Sequence, residues 1–230
     1  RSARHRLPRA RRFSLPWQWR PWYLQARSDF RYSHLSWPQA ITAPMMMFQR
    51  RPQKLPTIWL MSDERLGDAL LPSVQALPRG SGVIFRHYSL PDAQRRALFN
   101  RLMRIARRRG LMVLLAGSAA QARGWGADGY HGRVSGRRSA VAGRLLHSAP
   151  VHNIREIAQN SQSADLFFLS PVYVTASHSG GNALGPMQFR RLAKLCDAPV
   201  IALGGMTRAR FYMLRCAHIK GWAAVSALKK

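Results

Sequence analysis

Three features of this 230-residue sequence predict a (β/α)8 barrel, the TIM-barrel class of α/β fold. A short apolar run stops on two glycines, a small-residue run follows about twenty residues later, and strand-like and helix-like segments alternate upstream of both. The first run, Ala198-Pro199-Val200-Ile201-Ala202-Leu203-Gly204-Gly205-Met206, reads as a buried strand whose tip presents bare backbone, and its N–H groups suit an anion such as phosphate. The second, Gly221-Trp222-Ala223-Ala224-Val225-Ser226, reads as a strand ending on a hydroxyl. Residues 207–217 between them have helical composition. Phosphate-binding loops of such barrels follow strands seven and eight, which is where this unit falls if six strands precede it.

From the start of the chain, residues 1–54 differ from the rest. A basic tract runs through Arg12, and Trp17, Trp19, Trp22 and Trp37 then lie among prolines with no period of 2 or 3.6. Three readings apply: a basic arm for nucleic acid or a partner, an Arg- and Ser-containing transit segment, or sequence that lies upstream of a natural start at Met45–Met47 or is simply disordered. The third is adopted, and the barrel domain is assigned to 55–230.

From Lys54 onward the pattern is regular. Strands are predicted at 56–62, 82–85, 111–116, 126–131, 149–151, 165–172, 199–203 and 221–225. Helices are clearest at 91–109, 154–160, 186–195 and 207–217. Alternation of this kind implies parallel strands with right-handed crossovers, and eight repeats imply closure. The chain stops soon after strand eight, so the last helix is expected to be truncated. In 91–109, Leu98, Leu102 and Ile105 form an apolar stripe against the barrel, and Arg101, Arg104 and Arg108 a solvated one.

Composition narrows the function. At 47% hydrophobic the chain can bury a full core. No run approaches the roughly 18 apolar residues of a membrane span. Cys196 and Cys216 are too few for a disulfide framework and read as free thiols in a cytoplasmic protein. Thirty-seven basic against nine acidic residues give +28, which favours anionic partners. The excess is spread along the whole chain and 32 of the basic residues are Arg, a bias codon composition can produce; nucleic-acid binding therefore rests on charge alone.

In a barrel the chemistry lies where strands end. Those positions hold Arg86 after strand two, Gly117-Ser118 after three, His131 after four and His152 after five. Thr175, Ser177 and His178 follow strand six, Gly204-Gly205 strand seven and Ser226 strand eight. Hydroxyls, glycines, Arg and His gather there and carboxylates do not, so the mouth suits an anionic ligand rather than carboxylate-held Mg²⁺. No metal-ligating pattern is read: the three histidines lack both i, i+4 spacing and a cysteine partner.

Four segments carry a resemblance. Gly126-Ala127-Asp128-Gly129-Tyr130-His131, the strand-six segment from Ala164 to Thr175, the Val200–Met206 run and Ala223-Ala224-Val225-Ser226-Ala227-Leu228 together resemble the thiamine phosphate synthase and thiazole tautomerase (TenI-like) superfamily. The resemblance covers roughly Thr57 to Leu228. It implies a thiazole phosphate held by the loops after strands six, seven and eight, with contacts at Thr175, Ser177, Gly204, Gly205, Val225 and Ser226. Members that make thiamine phosphate also bind an aminopyrimidine diphosphate with Mg²⁺, and that half is largely missing. Of their Gln-Leu-Arg-x-Lys-type segment only Arg86 persists, within Ile84-Phe85-Arg86-His87-Tyr88. Their Asn-Asp-Arg motif aligns with Ala116-Gly117-Ser118, a second metal Asp near Ser135 or Gly136, a diphosphate-binding Ser with Pro150 and a Lys with His178. If each lost contact is worth about 2–4 kcal/mol, coupling is slow by several orders of magnitude.

The tautomerase branch needs less, and its catalytic His falls on His152, although synthases also carry a His there. The resemblance thus implies a thiamine-biosynthesis enzyme, either a diverged synthase or a tautomerase-like protein. The alternatives are a non-catalytic phospho-ligand sensor and, on charge alone, a nucleic-acid-binding protein. The partner is thiazole phosphate or a related small molecule, no membrane is involved, and a homo-oligomer is compatible with this reading.

Overall fold

The computed structural model describes residues 54–133, 143, 145–175, 183–214 and 216–228. Eight parallel strands close into a barrel in sequence order: β1 (Ile58–Met61), β2 (Gly82–Phe85), β3 (Met112–Ala116), β4 (Gly129–His131), β5 (Leu146–Val151), β6 (Leu166–Leu169), β7 (Val200–Leu203) and β8 (Ile219–Ala224). β8 pairs with β1 in the register Ile58↔Trp222, Trp59↔Ala223, Leu60↔Ala224, which completes the cylinder. Six helices flank the described strands: α1 (Leu70–Ala76), α2 (Asp92–Arg109), α3 (Ala119–Trp125), α4 (Ile154–Asn160), α5 (Gly185–Ala193) and α6 (Arg208–Leu214). After β8 the described chain makes a 3-10 turn at Ser226–Leu228. The 1–53 part of the N-terminal extension lies outside the described residues.

The strands are short apolar runs because both their faces are buried, one in the lumen and one beneath helices. Trp59, Met61, Ile84, Leu114, Phe168 and Ile201 belong to the lumen cluster. Phe168 meets Trp59 edge-on at 5.4 Å between ring centroids, and the indole Nε1 donates to the Pro56 carbonyl at 2.8 Å. The indole fits only because β2 begins with glycine: a Cβ on Gly82 would lie 2.2 Å from the Trp59 ring.

The structure moves several predicted boundaries. β5 starts at Leu146, three residues before the predicted strand, because polar residues interrupt its apolar signature. His147 places its ring nitrogens 2.8 Å from the carbonyls of Ser163 and Gly132, and Ser148 turns its hydroxyl toward His131. On α2 the fully buried stripe is Phe99, Leu102 and Ala106, with Leu98 and Ile105 half-buried beside it. Arg101, Arg104 and Arg108 are exposed as expected. Cys196 is buried and burial pushes its thiol up to about 12, an inert state; Cys216 is half-buried and also free. No helix among the described residues is long and apolar enough to cross a membrane.

Candidate functional site

The strand ends form one rim, and two sectors of it differ in chemistry. The first lies over β6, β7 and β8. Register sets Leu203 beside Ala223, so Gly204-Gly205 and Val225-Ser226 leave adjacent strand ends. Both glycines have positive φ, 97° and 60°, which L side chains rarely adopt. Space is also closed to a side chain: a Cβ on Gly205 would lie 2.9 Å from Tyr173 Cβ and 3.0 Å from the Val174 carbonyl. The Tyr173 amide donates to the Gly204 carbonyl at 3.1 Å, fastening the β6 loop to the glycine turn. Thr175 continues that loop half-buried, Val225 is half-buried with its side chain against the barrel core, and Ser226 is exposed. Ser177 and His178 lie outside the described residues.

The second sector lies over β1 and β2, where a cleft of about 320 Å³ opens between Ser62–Arg65 and Arg86–Tyr88. Arg86, expected to face an anion, is committed to the protein: Nε donates to the Ser62 carbonyl at 2.6 Å and Nη2 pairs with Asp63 at 2.8 Å. Arg65 also grips Asp63, with Nε 2.7 Å from Oδ1. The Arg65 hydrogen bond, opposed by partial burial and helped by the charge of Arg86, holds the Asp63 carboxyl at about 2. Behind Arg86, the buried Arg95 donates to the carbonyls of Arg86 (2.8 Å) and Ala116 (2.6 Å), tying the ends of β2 and β3 together.

His87 lies beside the cleft with φ 48°, an unusual conformation for a residue with a side chain. Ser62 Oγ accepts the Arg86 amide at 2.8 Å and shares a hydrogen bond of 3.0 Å with His87 Nδ1. Burial pushes the His87 pKa below the ordinary histidine value.

Between these sectors stand two histidines of opposite character. His131 is buried in the lumen, edge-on to Phe168, with Nδ1 2.9 Å from Ser148 Oγ. Burial first, and then the charge of Arg86, push its pKa down to about 3, so it stays neutral at physiological pH. In an unfolded chain it titrates near 6.5. Between those values the unfolded chain binds a proton that the folded barrel refuses. This contribution to stability is complete above pH 6.5 and is lost as pH falls toward 3, by about 1.4 kcal/mol per pH unit. Urea unfolding at pH 7 and pH 5 is therefore expected to show lower stability at pH 5, and less difference in His131→Gln.

His152, by contrast, is half-exposed, 44% at its side chain. Its backbone amide and Nδ1 both meet Glu156 Oε2, at 2.8 and 2.9 Å, while Arg133 holds Oε1 at 2.7 Å. Asn153 caps α4 by accepting the Glu156 amide, and Glu156 returns to the His152 amide, a reciprocal capping arrangement. Partial burial raises the Glu156 carboxyl, but the hydrogen bonds from His152 and the charge of Arg133 prevail and hold it below the usual glutamate range. A carboxylate only accepts, so Nδ1 carries the proton in this contact; among the described residues Nε2 has no hydrogen-bond partner.

The expectation that carboxylates are missing from the rim is corrected at Asp63 and Glu156. Asp63 lies two residues past the apolar end of β1, and the Asn153-to-Glu156 spacing is a capping signature, so both were readable. Neither forms a cation site. No group of three His, Cys, Asp or Glu able to hold a metal occurs among the described residues. At the end of β3, Ser118 caps α3 by accepting the Gln121 amide at 3.1 Å. Asp63 is taken by two guanidinium groups and Glu156 by His152 and Arg133, so these donors do not fit Mg²⁺ held by carboxylates. Ser135 and Gly136 lie outside the described residues.

The sequence model described as thiamine monophosphate synthase matches residues 60–228. A thiamine biosynthesis bifunctional protein ThiM/ThiE of Symbiobacterium thermophilum is 30% identical over 151 residues, 63% of this chain and 32% of that protein. A thiamine-phosphate synthase of Methanobrevibacter smithii is 28% identical over 108 residues, 44% of this chain and 52% of that protein. The matched stretches thus span about a third and about half of those relatives. Among solved structures, a thiamine phosphate pyrophosphorylase from Pyrococcus furiosus superposes with a TM-score of 0.62 at 19% identity, covering 76% of this chain and 87% of that one. One from Bacteroides thetaiotaomicron gives 0.51 at 15%, covering 74% and 83%. At these identities the likeness is one of fold.

Proposed function

The chain belongs to the thiamine monophosphate synthase family, and from that premise we propose that it binds a thiazole phosphate at the β6–β8 sector and moves a proton on the bound ring. The observation that carries this reading is the pairing of His152 with Glu156, which leaves Nε2 as the basic atom of a half-exposed imidazole at the end of β5. The phosphate is assigned to Gly204, Gly205, Thr175, Val225 and Ser226; Ser177, which the family resemblance adds, lies outside the described residues. Nε2 accepts a proton from one position of the ring and returns it to another, so atoms and charge balance without a co-substrate. Glu156 holds the ring in place and stabilises its transient positive charge.

Condensation with an aminopyrimidine diphosphate is the less favoured reading. Its leaving group needs a metal or several free cations. Here Arg86 is paired with Asp63, and among the described residues the two rim carboxylates, Asp63 and Glu156, are both engaged in ion pairs. A cytoplasmic protein handling a phosphorylated small molecule fits the same picture.

The test follows deuterium exchange into thiazole phosphate by NMR, with and without the protein in D₂O. Exchange that saturates with protein and disappears in His152→Ala supports the proposal. Thiamine phosphate formed at a steady rate on addition of aminopyrimidine diphosphate and Mg²⁺ would instead establish the coupling reaction. Tight binding without exchange would leave the protein a non-catalytic phospho-ligand receptor.

A further inference from the structure

Arg210 carries an inference beyond the residues assigned so far. It stands in the first turn of α6 with its guanidinium 4.5 Å from the centroid of the Tyr173 ring, where Nη1 donates to the Gly205 carbonyl. That is its side chain's single hydrogen bond among the described residues. We propose that Arg210, seated on Tyr173, is a positioning residue for a phosphate ester: it turns the Gly205–Met206 peptide so that its N–H faces the ligand. The proposal rests on reading the β6–β8 sector as a phosphate site.

In a trans peptide the C=O and the following N–H point in opposite directions. The Gly204 carbonyl is held by the Tyr173 amide, so the Gly205 N–H turns away from the β6 loop. The Gly205 carbonyl is held by Arg210 over the same Tyr173 ring, so the Met206 N–H turns away as well. Neither amide donates to another group among the described residues, although Met206 is only 2% exposed. Two consecutive donors left open on one side of a positive-φ turn form an anion-binding concavity. Glycine at 205 is free to rotate its peptide, and the guanidinium selects the productive orientation. Because Arg210 holds the carbonyl side, it acts through the peptide and does not itself touch the phosphate; a planar cation stacked on an aromatic face loses little further freedom in doing so.

The test compares calorimetric affinities for thiazole phosphate and the corresponding thiazole alcohol in wild type, Arg210→Met and Arg210→Lys, with melting temperatures recorded alongside. Wild type is expected to prefer the ester. Arg210→Met should lose about 10–100-fold in ester affinity with the alcohol unchanged, the worth of one or two hydrogen bonds to a charged group. Arg210→Lys, which can still donate to the Gly205 carbonyl, should recover most of that loss. An ester preference retained in Arg210→Met overturns the inference while leaving the phosphate site standing. Equal loss in both variants with a lowered melting temperature also overturns it, since the role is then only in folding. If wild type binds ester and alcohol equally, the phosphate site itself is wrong and the inference falls with it.

Discussion

Replacing His152 with alanine is expected to slow proton exchange into thiazole phosphate by about 10²–10⁴-fold, the usual worth of a positioned general acid–base group. Affinity for the ligand should barely change, because the phosphate is assigned to the loops after β6, β7 and β8 and not to His152. Glu156→Gln sharpens the result. Glutamine can still accept the His152 amide, so the cap on α4 survives, but the negative charge behind Nδ1 is gone. A purely structural Glu156 would leave kcat intact in that variant; a fall in kcat at unchanged KM identifies the carboxylate as the group that orients and stabilises the imidazole. The measurement is single-turnover deuterium exchange by NMR, which separates binding from the proton step.

Phe168→Ala is expected to cost about 3–5 kcal/mol, the range for removing a large buried aromatic side chain. The residue is fully buried in the lumen, edge-on to both Trp59 and His131 at 5.4 and 5.2 Å. Helices cannot collapse into the cavity because they lie on the other side of the strands, so the void persists and its lining loses contacts outright. For a domain whose net stability is about 5–15 kcal/mol this is a large share, and a fall in Tm of about 6–20 °C follows for a domain of this size. Differential scanning calorimetry reads it directly. A shift below about 2 °C would mean that the lumen repacks, contrary to the close packing argued for it.

The barrel was legible in the sequence because its strands are apolar on both faces and end on glycines and hydroxyls at regular intervals. What escaped notice were the features that closure brings together. The polar His147 and Ser148 hid the first half of β5, since their partners lie in β4 and in the turn before β6. The pairing of Arg86 with Asp63 depends on β1 lying beside β2, and it turns an expected ligand-binding cation into an internal brace. The stacking of Arg210 on Tyr173 leaves no trace in local spacing, because the first turn of α6 and the loop after β6 meet only through adjacent strand ends. His152 was readable as a strand-end histidine. Glu156 carried its own signal in the capping spacing, but its role beside His152 appears only when both side chains are in place.

Amide shifts in a ¹H–¹⁵N spectrum, recorded while thiazole phosphate is added in the presence of a metal chelator, address the grip on phosphate most directly. The amides of Gly205, Met206 and Ser226 should move downfield in a saturable way and return when excess inorganic phosphate is added. Shifts confined to Ser62–Arg65 and Arg86–Tyr88, or no shifts until Mg²⁺ is restored, would contradict a metal-independent phosphate site at the β7 and β8 ends.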